Sequence, residues 1–338
     1  MANPRLTKAS ARSPAIVVVG ASAGGMAALK SLVAQFPVDF PGAVFVVQHM
    51  SADASGELLV RILDENSALA CSQALDGELF QAGHIYVAPP DHHLMLGEGT
   101  ILITKGAQEN RSRPAIDPLF RSAAVAYGNR VIAVLLTGFL DDGTAGLIAI
   151  QRCGGACVVQ DPGDAEYPDM PQNALNQLTP DYCVPLAEMG ALLSRLAMTG
   201  HGKRGPVPQD IAIEAKIAER VLSDLPSVQA LGDQVPFNCP GCGGVLWKIG
   251  TDPTLRYRCH TGHAYTAAVL WAEQTKKIEE TLWVALRMFE ERRNLLMTMA
   301  TTQSGAGARS ATERAQQSDI YIKRIRAMLV ANDNGGSE

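Results

Sequence analysis

The feature that most constrains the fold is an apolar, β-branched run, Ile16-Val17-Val18-Val19. It breaks into Gly20-Ala21-Ser22-Ala23-Gly24-Gly25 and then into the helix-forming Met26-Ala27-Ala28-Leu29-Lys30. A short continuous apolar run bounded by glycine reads as a strand buried on both faces, which implies a parallel sheet covered by helices. The turn has the G-x-S-x-G form, in which a sharp strand-to-helix bend lifts a serine oxygen above the sheet and the flanking glycines leave room for a substrate. A dinucleotide turn would need glycine where Ser22 stands and an acid about 20 residues later at the end of a second strand. Val44-Phe45-Val46-Val47 ends in Gln48-His49 instead. A phosphate loop would need Gly-Lys-Ser/Thr, which the turn lacks. Two readings stay open at this level: a serine nucleophile, or a tight turn with an incidental serine.

Two further strands bear on that choice. Gly42-Ala43-Val44-Phe45-Val46-Val47 delivers Gln48, His49 and Met50 at its carboxyl end, and Arg130 to Gly138 runs into Phe139-Leu140-Asp141-Asp142-Gly143. In doubly wound sheets ligands bind outside the carboxyl ends of the strands, so serine, histidine and an acid arriving on one edge suit a hydrolytic triad. The expected fold class is α/β, a doubly wound, mainly parallel, Rossmann-like sheet.

Six segments in this order resemble the effector domain of the chemotaxis protein-glutamate methylesterases, the CheB type, over about residues 14–195. They are Val-Gly-Ala-Ser-Ala-Gly-Gly, Val-Val-Gln-His-Met, Ile-Tyr-Val-Ala-Pro-Pro-Asp-His-His, Arg-Pro-Ala-Ile-Asp-Pro-Leu-Phe, Leu-Leu-Thr-Gly-x-x-x-Asp-Gly and Asp-Pro-x-x-Ala-Glu-Tyr-Pro-x-Met-Pro. The resemblance implies hydrolysis of glutamyl methyl esters on chemoreceptors, and in many members deamidation of receptor glutamines, by a triad that maps to Ser22, His49 and Asp142. It implies no cofactor for catalysis and, as partner, a methylated chemoreceptor or a related signalling protein. Asp141 is the competing acid, but Asp142 precedes glycine as in the family pattern. That pattern reads Thr-Gly-Met-Gly-x-Asp-Gly, so Phe139 and Leu140 depart from it; a positive φ at the second position would strain Leu140 or reshape the loop. Many relatives carry an amino-terminal phosphoacceptor receiver. Here the catalytic strand begins by Ile16, which leaves no room for one, so regulation is expected from a trans-acting partner, the C-terminal part or expression. The competing function is a signalling scaffold that keeps the fold and binds without cleaving.

Other polar residues in this half read more plainly. His92 and His93 point to opposite faces of an extended segment, one packed and one solvated, and do not make a metal pair. Arg111 and Arg113 read either as a solvated loop or as substrate contacts. A net charge of -5 with 47% hydrophobic and 19% charged residues argues against a nucleic-acid binder. Neither an apolar run long enough to span a membrane nor a signal-peptide core is present, so a cytoplasmic protein without membrane insertion is expected. The length accommodates one well-buried domain and a smaller appendage.

The appendage begins past a Gly/Pro-rich linker, Thr199 to Pro208, and a helix expected over 210–225. Cys239-Pro240-Gly241-Cys242 is followed by a β-like Val245 to Lys248, a returning Arg256 to Cys259 and then His263. A C-x2-C knuckle with a hairpin and two further ligands is the pattern of a zinc ribbon, with Cys239, Cys242, Cys259 and His263 as structural ligands and His260 as the alternative fourth. Trp247 and Tyr257 are expected to cover it. The odd total of 7 cysteines argues against a disulfide framework. Ile278, Leu282, Ala285 and Phe289 predict a helix over 266–299, and Ser310-Ala311-Thr312-Glu313 reads as a capping box opening a second. Their apolar faces serve either internal packing or docking, which leaves the oligomeric state open. The expected organisation is a flexible terminus over 1–13, a catalytic domain over 14–195, a linker and helix over 196–235, a ribbon-like module over 236–265, a helical hairpin over 266–330 and a flexible tail over 331–338. Because the triad requires no Lewis acid, the catalytic domain is expected to work without the ribbon.

Overall fold

The computed structural model describes residues 14–199, 205–219, 225–250, 255–302 and 304–333. The centre of the expected linker, the terminus 1–13 and the end of the tail lie outside them. In chain order the first part contains β1 (Ala15–Ala21), α1 (Gly25–Val33), β2 (Gly42–Gln48), α2 (Gly56–Asn66), β3 (Ala70–Gln73), β4 (His84–Val87), β5 (His93–Leu96) and β6 (Ile101–Thr104). It continues with α3 (Ile116–Tyr127), β7 (Val131–Leu135), α4 (Thr144–Arg152), β8 (Ala156–Gln160), α5 (Asp169–Gln177), β9 (Tyr182–Val184) and α6 (Leu186–Thr199).

Seven of these strands form one parallel sheet in the order β3-β4-β2-β1-β7-β8-β9. The unbroken Ile/Val runs have the cause inferred from sequence, because both faces are covered. Ile16 and Val18 face one core with Leu119, Phe120, Leu147 and Ile150 of α3 and α4. Val17 and Val19 face the other with Leu29, Leu32, Leu59, Leu63 and Leu192 of α1, α2 and α6. From β1 the chain moves to β2, then to the edge strand β3 and back inward to β4, before it crosses to the other side of β1 as β7. The strand order therefore reverses at β1, and a crevice opens at the carboxyl ends of its neighbours. The short hairpin of β5 and β6, not foreseen from the sequence, lies outside this sheet.

Past the linker come α7 (Gln209–Glu219), α8 (Leu225–Gln229), β10 (Gly232–Asn238), β11 (Val245–Ile249), β12 (Arg256–Cys259) and β13 (Ala264–Thr266). The four strands form an antiparallel sheet in sequence order. Trp247 is buried against Ile217 and Val228, and so anchors the sheet to α7 and α8. This small sheet and the large one belong to one compact unit that ends at Val269.

The second unit, from Leu270 onward, is a helical hairpin formed by α9 (Ala267–Thr302) and α10 (Ala306–Asp333). Leu282, Ala285, Leu286 and Phe289 pack on Ile322, Ile325 and Leu329. Leu296 packs on Ala311 and Ala315. Ile278, by contrast, is exposed. The Ser310–Glu313 segment does not cap α10 but lies inside it. Gly305, with φ of 69°, makes the reversal, and the helix starts directly after it.

Candidate active site and metal centre

Ser22 follows the last residue of β1, and its amide donates to the Thr137 carbonyl past β7 (3.0 Å). The His49 amide donates to the Ala21 carbonyl (3.0 Å), which ties the end of β2 to the same turn. The Gln48 side chain donates to the carbonyls of Ser22 (2.8 Å) and His49 (3.0 Å) and so locks both loops together. Gly24 provides the left-handed step (φ 71°) that turns the chain into α1. Gly138 passes so close to the serine that a Cβ there would sit 2.6 Å from Ser22 Cβ.

These constraints bring Ser22, His49 and Asp142 into line. His49 Nδ1 lies 3.0 Å from Ser22 Oγ and Nε2 lies 2.7 Å from Asp142 Oδ2. With the ring proton on Nε2 and donated to Asp142, Nδ1 presents a lone pair to the serine hydroxyl. Asp142 is buried and fully engaged: Oδ2 also accepts the Ile116 amide (2.7 Å), and Oδ1 accepts Asn110 Nδ2 (3.0 Å) and the Asp117 amide (3.3 Å). Burial opposes its charge, and the bonds from His49, Ile116 and Asn110 overcome that penalty, holding the carboxyl below its ordinary value. Asp117 receives the Gly143 and Gly146 amides; burial and the adjacent Asp142 charge push it up to about 7. Asp141 points away from the imidazole and accepts Thr266 Oγ1 (3.0 Å).

A cavity of about 290 Å³ opens on this line, bordered by Ser22, His49, Asn110, Arg111, Ser112, Phe139, Leu140 and Asp142. Leu140 adopts φ of 64°, so the loop keeps the left-handed turn at the position where the sequence departs from the family pattern. Asn173 fixes it by donating to its carbonyl (2.8 Å), and the Phe139 ring meets Tyr167 edge-on. Arg111 borders the cavity. Arg113 instead serves the scaffold, donating to Asp91 and to the Gly106 carbonyl. Lys105 and Arg113 hold the Asp91 carboxyl down at about 2. His93 is buried, with ring nitrogens 3.0 Å from the Ala107 carbonyl and 3.2 Å from the Ala115 amide, while His92 is partly exposed.

Cys239, Cys242, Cys259 and His263 converge at one corner of the small sheet, with ligand atoms within 4.8 Å of one another. The Cys242 and Cys259 sulfurs are 3.7 Å apart, and Cys259 Sγ is 3.5 Å from His263 Nδ1. Tetrahedral zinc with bonds of about 2.3 Å to sulfur requires an edge of about 3.8 Å, so the donor set fits that ion in both chemistry and spacing. Tyr265, rather than Trp247 or Tyr257, approaches the cluster, its hydroxyl 3.2 Å from Cys239 Sγ.

The residues that the sequence did not flag lie between the two centres. Asn110 was legible only as part of an arginine-bearing loop. It is buried, adopts φ of 48° and receives from or donates to Asp142, Asp117, Ala264 and Thr266. Beneath it Glu109 accepts Arg121 (2.6 Å) and the ribbon's Arg258 (2.9 Å), and Glu214 of α7 accepts Arg256 through both oxygens (2.7 Å each). Burial penalises both carboxylates, and the guanidinium groups outweigh it, so both sit below their ordinary values. The small sheet is thus docked on the large domain through desolvated charge, and β13 reaches the surroundings of Asp142.

A family profile described as CheB methylesterase matches residues 17–193. A putative protein-glutamate methylesterase/protein-glutamine glutaminase from Leptospira interrogans is 38% identical over 181 residues, which is 53% of this chain and 93% of the relative. The enzyme of that name from Bordetella bronchiseptica is 38% identical over 203 residues, 58% of this chain and 57% of the relative. The chain thus spans little more than half the length of that relative. The crystal structure of the Thermotoga maritima CheB methylesterase catalytic domain superposes with a TM-score of 0.52 at 34% identity, covering 54% of this chain and 99% of that one.

Proposed function

This chain belongs to the CheB methylesterase family, and from that premise we propose that it hydrolyses glutamate methyl esters, and in a parallel reaction deamidates glutamines, on a methylated chemoreceptor or a related signalling protein in the cytoplasm. The observation that carries the reading is the unbroken line from Ser22 Oγ through His49 to Asp142 at the floor of an open cavity. His49 Nδ1 takes the serine proton as Oγ attacks the ester carbonyl, then returns it to the departing methoxide, so methanol leaves and an acyl-serine remains. Water enters and gives a proton to the same nitrogen as it attacks the acyl carbon, and His49 passes that proton to the departing Ser22 Oγ, which releases the free carboxylate and restores the serine. Asp142 keeps the proton on Nε2 and stabilises the imidazolium.

The Ser22 and Gly138 amides are committed to Thr137 and Tyr167 carbonyls. The oxyanion role therefore falls to other donors; Phe139 and Leu140 line the cavity, and the amides of this loop are the donors proposed for it. Cys239, Cys242, Cys259 and His263 are proposed to hold one structural zinc, whose contribution is to cross-link a sheet too small to carry its own core.

The test is release of labelled methanol from membranes bearing methylated receptors. Wild-type protein should release it and Ser22→Ala should not, with the variant's melting temperature unchanged. Equal release by the variant would remove the serine mechanism, and none by either protein on any methylated receptor array would remove the proposal in favour of a non-catalytic scaffold.

A further inference from the structure

The two centres are joined by a short hydrogen-bonded path. Cys259 ends β12 and His263 precedes β13, so two of the four grouped side chains bracket the turn between those strands. Arg258, one residue before Cys259, closes that turn by donating to the Gly262 carbonyl (3.0 Å) and spans to Glu109 of the large domain (2.9 Å). The next strand delivers two residues to the loop above the active site. The Asn110 amide donates to the Ala264 carbonyl (2.9 Å), and the Thr266 amide donates to Asn110 Oδ1 (3.3 Å). The other end of the same side chain, Nδ2, donates to Asp142 Oδ1 (3.0 Å) and to Asp117 Oδ2 (3.1 Å). Thr266 Oγ1 also holds Asp141, the neighbour of Asp142.

Asn110 and Arg111 both stand in the left-handed region, with φ of 48° and 69°. Asparagine tolerates that region, whereas arginine is disfavoured there, so the loop needs external bonds to keep its shape. At Asn110 the bonds that fix the backbone and the side-chain oxygen come from β13.

We propose that the ribbon is a working part of the hydrolase: metal bound by Cys239, Cys242, Cys259 and His263 fixes the turn between β12 and β13, and through Ala264 and Thr266 sets Asn110 and hence Asp142, so that ester hydrolysis is linked to metal occupancy. Asn110 and Thr266 are positioning residues, since neither meets the reacting atoms in this scheme. The linkage rests on the esterase and metal-site readings above. It overrides the expectation that the catalytic domain works without the ribbon. It also supplies a route by which zinc availability or oxidation of Cys242, the exposed member of the cluster, would turn the enzyme down. Two-electron oxidation of two cluster thiols by a peroxide would form one disulfide and water, remove two ligands and release the ion.

The test uses the full chain, loaded with zinc and then stripped by a chelator. Three quantities are followed: zinc content, amide exchange at Asn110, Ile116 and Asp117, and the rate at which an organophosphonate labels Ser22. Labelling reads activation of the nucleophile without knowledge of the natural substrate. Stripping should speed exchange at all three amides and slow labelling by about 10-fold, the cost of one hydrogen bond to a charged group. On a methyl ester it should lower kcat with little change in KM, and added zinc should restore each quantity. In zinc-loaded protein Asn110→Ala, which removes both the acceptor of the Thr266 amide and the donor to Asp142, should reproduce part of the loss, and stripping zinc from that variant should slow labelling further by less than it does in wild type; Thr266→Val, which keeps the Thr266 amide, should leave labelling near the wild-type rate. A chain that binds no zinc, or one whose three amides and Ser22 labelling ignore its removal, would overturn the linkage. If loaded wild-type protein fails to label at all, the esterase reading falls, and the exchange data alone decide whether ribbon and loop are coupled.

Discussion

Replacing Asp142 by asparagine changes one atom and should cost most of the activity, for a reason visible in its four hydrogen bonds. Both carboxylate oxygens accept: Oδ2 from His49 Nε2 and the Ile116 amide, Oδ1 from Asn110 Nδ2 and the Asp117 amide. A carboxamide has one accepting oxygen. If that oxygen faces His49, the new NH2 opposes the donors of Asn110 and Asp117; if the amide is reversed, the NH2 faces Nε2 and drives the ring proton to Nδ1. In that tautomer the nitrogen facing Ser22 Oγ carries a proton and cannot act as base. Loss of the correct tautomer in a triad lowers kcat by about 10⁴, which corresponds to roughly 5 kcal/mol of barrier. Stability should suffer far less, because the lost bonds are offset by relief of repulsion on Asp117. The assay is kcat and KM on a glutamyl methyl ester, beside urea unfolding. Asp141→Asn serves as control, because its carboxylate meets Thr266 and not the imidazole. An Asp142→Asn enzyme within tenfold of wild type, or a larger loss in Asp141→Asn, would refute the reasoning.

Gly138→Ala should abolish turnover and destabilise the fold, since the new methyl would lie 2.6 Å from Ser22 Cβ and 2.8 Å from Met170 Cε; normal kcat with an unshifted melting curve would contradict the packing described. Leu140→Gly should leave stability unchanged or raise it by about 1 kcal/mol, as relief of the left-handed leucine exceeds the added chain entropy. Urea unfolding checks this, and a clear loss of stability would mean the side chain contributes more than its backbone costs. Acid should loosen the ribbon: Glu109 and Glu214 are depressed in the fold, so their contribution is complete above the unfolded value of about 4.3 and is lost as pH falls toward their folded values. Trp247 fluorescence would follow the change, and Glu109→Gln protein should show a shallower acid dependence.

The parts legible in the sequence were those encoded locally. Uninterrupted Ile/Val runs ending in Gly-x-Ser-x-Gly, Gln48-His49 and Asp141-Asp142 mark covered parallel strands whose carboxyl ends share an edge. The choice between the two aspartates leaned on family resemblance, whereas in space it depends on which carboxylate meets the imidazole. The C-x2-C knuckle and the later Cys259 and His263 announce a metal-type cluster by spacing alone. Contacts between distant segments were not legible. Glu109, Arg121, Glu214 and Arg258 look like solvated charges one at a time, and only the docking of β12 on α3 and α7 buries them together, with Arg256 partly buried beside them. Asn110 and Thr266 carry no local signal, because their partners lie on other elements. The start of α10 depends on a cause outside the local motif as well. A serine three residues before a glutamate suits a cap, but Gly305 had already turned the chain.

The central claim is that Ser22 carries the acyl group, and it is tested most directly by quenching the protein in acid during turnover of a glutamyl methyl ester and weighing the peptide that contains Ser22. The account predicts a mass increase equal to the glutamyl acyl group on Ser22, accumulating with methanol release and absent from Ser22→Ala. Methanol release with Ser22 unmodified at every quench time, or with the acyl group on another residue, would contradict it.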